Sequence, residues 1–410
     1  MSALSLETIG ALARELLTDD EPCVLLCDLP ALRANLAAMR AAFPAGTLHA
    51  VAIKANPLRA ILAELVAAGC GLEAASPIEL ELALRAAPAE RVVFDSPVKT
   101  ESDLRRALAL ECVLNLDNLQ EIARVDAILA GARPRARVGL RVNPDVGAGS
   151  IAATSTAVAG SKFGVCLRTS SDAVVEAFSR HSWLTGLHVH VGSAGCSLAQ
   201  LVAGAKAIVQ LAESLDSRIE TLDIGGGMPV DLEDPRRTPS FREYADRLRT
   251  EVPTLFDGRH QIITEMGRRV HADTTVAVSR VEATKQSGGR NIALIHLGAD
   301  LLLRAAYMPG VWEHRIRVLD RHGTPRTGPL EPWDIAGPLC FSGDLIARAR
   351  PLPAIEPGDL LVVHDVGAYT LSMWSRYNSR ASPAVWAHDD PGPRRLRARE
   401  SLEDVLRFWD

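Results

Sequence analysis

The feature that most constrains this chain is a recurrence of short apolar, strand-forming runs separated by amphipathic stretches. Eight such runs span residues 48–54, 70–74, 91–95, 111–115, 137–142, 186–191, 220–225 and 261–266. Between them, stretches such as 60–68, 78–86 and 198–215 carry apolar residues at three- and four-residue spacing, the period of a helix with one buried face. An earlier helix opens at Asp28-Leu29-Pro30, where Asp can cap and Pro suits the first turn. Eight strands interleaved with helices over about 230 residues predict an α/β fold, a closed (β/α)8 TIM-like barrel. A doubly wound open sheet is the rival, but it usually holds fewer parallel strands.

After about residue 272 the rhythm changes. Runs at 276–283, 291–296, 316–319, 360–364 and 385–388 are short and β-like, and Pro and Gly clusters (Pro309-Gly310, Pro332, Gly337-Pro338, Pro357-Gly358) separate them. A C-terminal, mostly antiparallel β domain fits this pattern. At 410 residues the chain exceeds one ordinary core, and the expected division is a barrel at 25–275 and a β-sandwich or barrel domain at 276–410. Within the barrel region, 145–164 is rich in Gly, Ala, Ser and Thr and reads as a mobile loop over the barrel mouth.

A formal net charge of −5 gives no reason to expect nucleic acid or an anionic membrane as partner. No apolar run approaches the roughly 20 residues that span a bilayer, and the first residues lack the basic start and long apolar stretch of a signal peptide. Seven scattered cysteines form no C-x-x-C pair and read mostly as reduced, buried thiols. A soluble cytoplasmic enzyme is the expectation.

In such a barrel, chemistry gathers at the C-terminal ends of the strands, and the distinctive residues fall there. Lys54 closes the first run, just before Ala55-Asn56-Pro57 turns the chain. A lysine held at a strand end with its amine toward a cleft suits Schiff-base chemistry, because desolvation frees the neutral amine for attack on an aldehyde. His188-Val189-His190-Val191-Gly192-Ser193, Asp223-Ile224-Gly225-Gly226-Gly227 and Glu265-Met266-Gly267-Arg268 end three further runs. Consecutive glycines let backbone N–H groups approach an anion, and Gly-Arg adds donors and charge. A strand-end lysine beside a phosphate cradle suggests pyridoxal 5′-phosphate as cofactor, with no metal.

These segments resemble the fold-type III pyridoxal-phosphate enzymes, specifically the diaminopimelate/ornithine decarboxylase family. The likeness runs through Ala52-Ile53-Lys54-Ala55-Asn56-Pro57, Glu73-Ala74-Ala75-Ser76-Pro77-Ile78-Glu79-Leu80, Ser161-Lys162-Phe163-Gly164 and the three motifs above. It continues with Gly337-Pro338-Leu339-Cys340-Phe341-Ser342-Gly343-Asp344, Asp365-Val366-Gly367-Ala368-Tyr369 and Tyr377-Asn378-Ser379-Arg380, in order and over essentially the whole chain. The resemblance implies an alanine-racemase-like two-domain architecture whose β domain is completed by residues 1–24. It implies that Lys54 carries the cofactor, that His190 stacks on its ring and that Glu265 pairs with the ring nitrogen. Ser193, Gly225, Gly226, Gly227, Gly267 and Arg268 would bind the phosphate side, and Tyr369 would reach the cofactor. Cys340 would approach the substrate carbon from the partner subunit of a homodimer with shared sites. Arg268, Arg304, Tyr307, Phe341, Asp344 and Tyr369 would lie near the far end of a small amino-acid substrate. His188 reads as a structural strand residue, Arg141 as a strand-end charge in the mouth, and Glu73, Glu79 and Asp223 as groups that orient neighbours.

Three departures bear on the substrate. After the cysteine, diaminopimelate decarboxylases carry glutamate and ornithine decarboxylases aspartate, either of which suits a distal ammonium group; this chain has Phe341. Met266 replaces the proline of Glu-Pro-Gly-Arg, and Arg304-Ala305-Ala306-Tyr307 is one residue shorter than the usual Arg-Pro-Ala-Leu-Tyr. The expectation is therefore an amino-acid α-decarboxylase whose substrate has diverged from diaminopimelate, with an authentic diaminopimelate decarboxylase as the alternative. A racemase is disfavoured because Glu265 stands where alanine racemases place arginine. An inactive regulator is disfavoured because Lys54, the triple glycine, Cys340 and Tyr369 are all intact.

Overall fold

The computed structural model describes residues 4–215 and 218–410. Residues 1–3, which open the segment assigned above to the β domain, lie outside the described residues. Two compact units result, Asn35–Val230 with Arg236–Val270, and Met1–Ala34 with Asp231–Pro235 and His271–Asp410. The division thus falls after Ala34 rather than after residue 24.

Beside a two-residue strand, Val165–Cys166, that pairs with Arg137–Asn143, the first unit is a closed barrel of eight parallel strands. In chain order they are β1 (Leu48–Ala52), β2 (Gly71–Ala74), β3 (Val92–Phe94), β4 (Val113–Leu116), β5 (Arg137–Asn143), β6 (Leu184–His188), β7 (Thr221–Asp223) and β8 (Gln261–Thr264). Each pairs with the next, and β8 returns to β1 through Ile263 opposite Leu48, which closes the cylinder. Nearly every strand residue is buried because helices cover the outside and side chains fill the inside, as the uninterrupted apolar runs require. Leu48, Ala50, Val93, Val113 and Ile263 form one cluster of this core.

Several of the helices start where the sequence supplies an oxygen to an orphan N–H group. Ser76 caps Pro77–Ala86 by accepting from Glu79, Thr100 and Asp103 form a reciprocal box at Glu101–Leu108, and Asn118 caps Leu119–Leu129. These caps fix the chain just beyond β2, β3 and β4, where the mouth residues sit.

The second unit is built on a nine-stranded sheet. Cys23–Asp28 runs through it, antiparallel to Thr275–Ser287 (Leu25 opposite Ala277) and parallel to Ala384–His388 (Leu25 opposite Val385). That pairing places residues 23–28 in this sheet rather than in the barrel. Helix Leu6–Leu16 packs Ile9, Leu12, Ala13 and Leu16 against Val24, Leu26, Val276, Val278 and Val362. Strands Glu331–Ala336 and Leu345–Leu352 were not expected, and Pro332, read as a break, lies inside the first of them. It sits at the second residue, before the register with Asn291–Leu294 begins, where a missing N–H costs little. Among the described residues no helix is long and apolar enough to cross a membrane.

Candidate active site

Lys54 does not end β1 as a strand residue. It sits in a one-turn 3-10 helix, Ile53–Ala55, that lifts it past the strand into the mouth. Its Nζ donates to Oε2 of Glu73 at 2.5 Å, from a side chain 35% exposed to one fully buried. Glu73 is the next-to-last residue of β2, and Asp95 follows β3 directly. Burial, and then the charge of Asp95, raise the Glu73 carboxyl well above the usual range, only partly opposed by Lys54. For Asp95 burial acts upward too, but Lys54, the hydrogen bond with Glu73, His188 and Arg141 together hold it well below that range. The two carboxyls therefore keep one proton and one negative charge between them.

Glu265 follows β8 and faces the same space. Its Oε2 lies 3.5 Å from Nε2 of His188 and 3.8 Å from Nδ1 of His190. Neither buried oxygen meets hydrogen-bond geometry with a donor among the described residues, although Asp223 lies close enough to act on it as a side-chain hydrogen-bond partner. Burial and the Asp95 charge push this carboxyl up to about 8, against Lys54 and Arg141. Burial holds His188 and His190 below the ordinary histidine range, with Arg141 next in weight for His190. Asp223 is raised as well, by burial and then by Glu265; it accepts Gly225 N–H at 3.0 Å and Asn115 Nδ2 at 3.2 Å.

The glycine turn lies between the loops after β6 and β8. Gly225 and Gly227 take φ of +64° and +99°, and a Cβ would fall 2.4 Å from Val189 O and 2.2 Å from Gly192 O respectively. Only glycine allows that approach. Gly226 N–H donates to His190 Nδ1 at 3.2 Å, which leaves Nε2 to carry the ring proton. Arg268, buried and directly after Gly267, points its guanidinium at Ser193 Oγ (3.3 and 3.4 Å).

Segment 145–164, expected to be a mobile loop, is fastened to the chain carrying His190 and Ser193. Thr156 and Ala157 N–H donate to Val191 O (2.9 and 3.1 Å), Ser193 N–H to Thr154 O (2.9 Å), and Thr156 Oγ1 to His190 O (2.5 Å). Its Ser and Thr residues thus serve as both donors and acceptors, Ser155 Oγ accepting Gly149 N–H at 2.9 Å. Arg141 lies 3.8 Å from Asp117 and 4.5 Å from the Phe163 ring centre. Burial lifts the Asp117 carboxyl to about 6. Sequence reasoning missed Asp95 and Asp117, whose only signal was that each directly follows a barrel strand.

A phosphorylated pyridine aldehyde fits this arrangement. A partly exposed lysine amine faces the mouth, the buried Glu265 carboxyl has an oxygen free to accept from a ring N–H, and the glycine turn groups with Ser193 and Arg268 where an anion would lie.

The other expected residues belong to the β unit. Cys340 is exposed, and Phe341 stacks on Tyr307, ring centres 5.4 Å apart and planes at 15°. The Arg304 guanidinium lies 5.0 Å from the Tyr369 ring centre and 4.8 Å from that of Trp312. Its Nη1 is buried and has no acceptor among the described residues. Asp344 is a correction. It was expected to face substrate, but it is buried, its Oδ1 taken by Ala299 N–H (2.6 Å) and its Oδ2 by Leu339 N–H (2.8 Å). It shapes the Cys340 loop from behind.

A family model described as pyridoxal-dependent decarboxylase, pyridoxal binding domain, matches residues 29–272. The diaminopimelate decarboxylase of Zymomonas mobilis subsp. mobilis is 32% identical over 368 residues, 88% of this chain and 85% of that protein. That of Archaeoglobus fulgidus is 30% identical over 410 residues, covering 97% and 95%. Among solved structures, diaminopimelate decarboxylase from Helicobacter pylori complexed with L-lysine superposes with a TM-score of 0.86 at 27% identity, covering 98% of this chain and 99% of that one. Pattern, fold and pocket agree, and the chain belongs to the pyridoxal-dependent amino-acid decarboxylases.

Proposed function

We propose that this enzyme removes an α-carboxylate from diaminopimelate as carbon dioxide, leaving lysine. The observation that carries the reading is the Lys54–Glu73 contact beside the orphaned Glu265 carboxylate. The names of the relatives favour diaminopimelate over a diverged substrate. When bound, pyridoxal phosphate supplies the aldehyde that Lys54 and the substrate amine exchange, and the ring that takes up the electron pair left by carbon dioxide. Lys54 holds the cofactor, and Glu73 takes or returns the proton at Nζ as the amine is released and recaptured. Glu265 keeps the ring nitrogen protonated and so favours electron uptake, which also argues against a racemase. His190 covers the ring, and Ser193, Gly225, Gly226, Gly227, Gly267 and Arg268 bind the phosphate. Tyr369 contributes to binding the cofactor. Cys340 gives the proton to the α-carbon from the partner subunit of a homodimer. Arg304, with its buried Nη1 lacking an acceptor, binds the distal carboxylate, while the Phe341–Tyr307 stack walls the far end.

A second reading, an amino acid whose far end carries no ammonium group, is favoured by Phe341, which offers no acceptor. Release of carbon dioxide from meso-diaminopimelate by purified, cofactor-loaded protein separates the two. A kcat/KM above roughly 10⁴ M⁻¹s⁻¹, ordinary for a native substrate, supports the first; a value orders of magnitude lower overturns it.

A further inference from the structure

Cys340 is held by two consecutive residues that lie far from it in sequence. Its backbone N–H donates to Asn378 Oδ1 at 2.9 Å, and its carbonyl accepts from the Tyr377 hydroxyl at 2.9 Å. Both polar groups of one exposed loop residue are thus taken by side chains of a single short turn, Tyr377–Ser379. That turn carries a cost. Asn378 and Ser379 have φ of +57° and +52°, a left-handed region that residues other than glycine enter at a cost. Asparagine tolerates it best, and its amide oxygen supplies the acceptor.

The turn is braced from its other side. Arg376, the residue before it, pairs with both carboxylate oxygens of Glu400 (2.5 and 2.6 Å) and lies 4.7 Å from the Phe408 ring centre. Glu400 also accepts Ser382 N–H at 2.8 Å. The brace fixes where the turn starts, the left-handed Asn378 sets its direction, and the two hydrogen bonds transmit that direction to the cysteine. Tyr377 is itself 49% exposed, so burial of its ring does not explain its placement. The hydroxyl bond to Cys340 does.

We propose that Tyr377 and Asn378 are positioning residues for Cys340, fixing the backbone from which its thiol reaches the α-carbon. This rests on the reading of Cys340 as proton donor. Four variants of the full-length, cofactor-loaded enzyme separate the possibilities. Asn378→Gly removes the acceptor while relieving the left-handed strain, Asn378→Asp keeps an acceptor, Tyr377→Phe removes only the hydroxyl, and Cys340→Ala tests the thiol. Two quantities are read: hydrogen–deuterium exchange of the peptide containing the Cys340 amide, and kcat separately from KM. Losing a hydrogen bond worth about 1 kcal/mol raises local exchange several-fold. Asn378→Gly is expected to show that rise and to lower kcat about tenfold with KM little changed. Tyr377→Phe should do the same to a smaller degree, and Asn378→Asp should stay near wild type in both. Wild-type exchange and kcat in Asn378→Gly, beside an inactive Cys340→Ala, would overturn the positioning role alone. Full turnover by Cys340→Ala would overturn the proton-donor reading and, with it, this inference.

Discussion

Lys54 Nζ lies 2.5 Å from Oε2 of Glu73, a carboxyl with no solvent exposure that burial and Asp95 keep protonated more readily than usual. The pairing marks Lys54 as the amine of the barrel mouth with a buried proton partner. Borohydride reduction of the cofactor-loaded enzyme is expected to fix the cofactor on Lys54, seen as a mass shift on the peptide containing it. Lys54→Ala should lose both the label and turnover. An unlabelled Lys54 in a reduced, loaded sample would remove it from its role.

The orphaned Glu265 carboxylate predicts a pH dependence in cofactor-free protein. Its ordinary value of 4.5 is raised to about 8 in the fold, by burial first and Asp95 next. Between those values the folded state binds a proton that the unfolded state has lost, so stability falls as pH rises and levels off above about 8. Histidines held low by burial act oppositely, but only below their ordinary 6.5. From about pH 6.5 to 8 the melting temperature should therefore drop. Glu265→Gln should flatten that slope by up to about 2 kcal/mol over the interval. Glu73 and Asp223, raised in the same direction, keep part of it. Calorimetry of wild type and variant at the two pH values checks this; equal slopes would count against it.

Lys99 and Glu121 form an ion pair at 2.8 Å with both side chains fully buried. Lys99 also donates to Ser96 O (2.5 Å), and Glu121 accepts Asp117 N–H (2.9 Å), so the pair ties together the loops after β3 and β4. Glu121→Ala strands a buried ammonium and is expected to cost about 3–5 kcal/mol. Lys99→Met combined with Glu121→Leu should recover most of that loss. Urea unfolding midpoints of the three proteins test the claim.

How much of this could be read from the sequence varies with how local the cause is. The eight barrel strands were legible because burial on both faces writes an apolar run into each. Five of their C-terminal ends were drawn too long, since residues such as Lys54 continue in composition but turn into the mouth. Glu331–Ala336 and Leu345–Leu352 were missed because Pro332, Arg348 and Arg350 interrupt the pattern, and because the ladder between them shifts register near Ala349, whose φ is +45°. Cys23–Asp28 gave no hint that its partners lie some 250 and 360 positions away. Motif residues such as Glu265 and Ser193 stood out through their neighbours. Asp95 and Asp117 are single carboxylates that only barrel closure brings to the mouth, and Asp344 looks exposed until its backbone partners are seen.

If Cys340 acts across a dimer, no chain carries a complete site alone. Mixing Lys54→Ala with Cys340→Ala, each inactive by itself, pairs one doubly altered site with one intact site in every mixed dimer. Random exchange makes half the dimers mixed, so activity should return to about a quarter of wild type per site. Absence of recovery after exchange has been verified by mass would rule out the shared arrangement.

Phe341 makes the sharpest claim about substrate. Stacked on Tyr307, it gives a distal ammonium no acceptor to bond. Diaminopimelate retains a second handle, its distal carboxylate, which lysine and ornithine lack. A site that reads this carboxylate through Arg304 forfeits a charge-assisted contact with either shorter compound, about 2–5 kcal/mol in transition-state binding. The wild-type enzyme is therefore expected to prefer diaminopimelate to lysine and ornithine by at least about thirtyfold in kcat/KM. Phe341→Glu should narrow the gap by giving the ammonium an acceptor, with the largest relative gain on lysine. If lysine already matches diaminopimelate in the wild type, the distal carboxylate is not what the site reads. If all three are poor and Phe341→Glu raises diaminopimelate turnover thirtyfold or more, the native substrate carries a different far end.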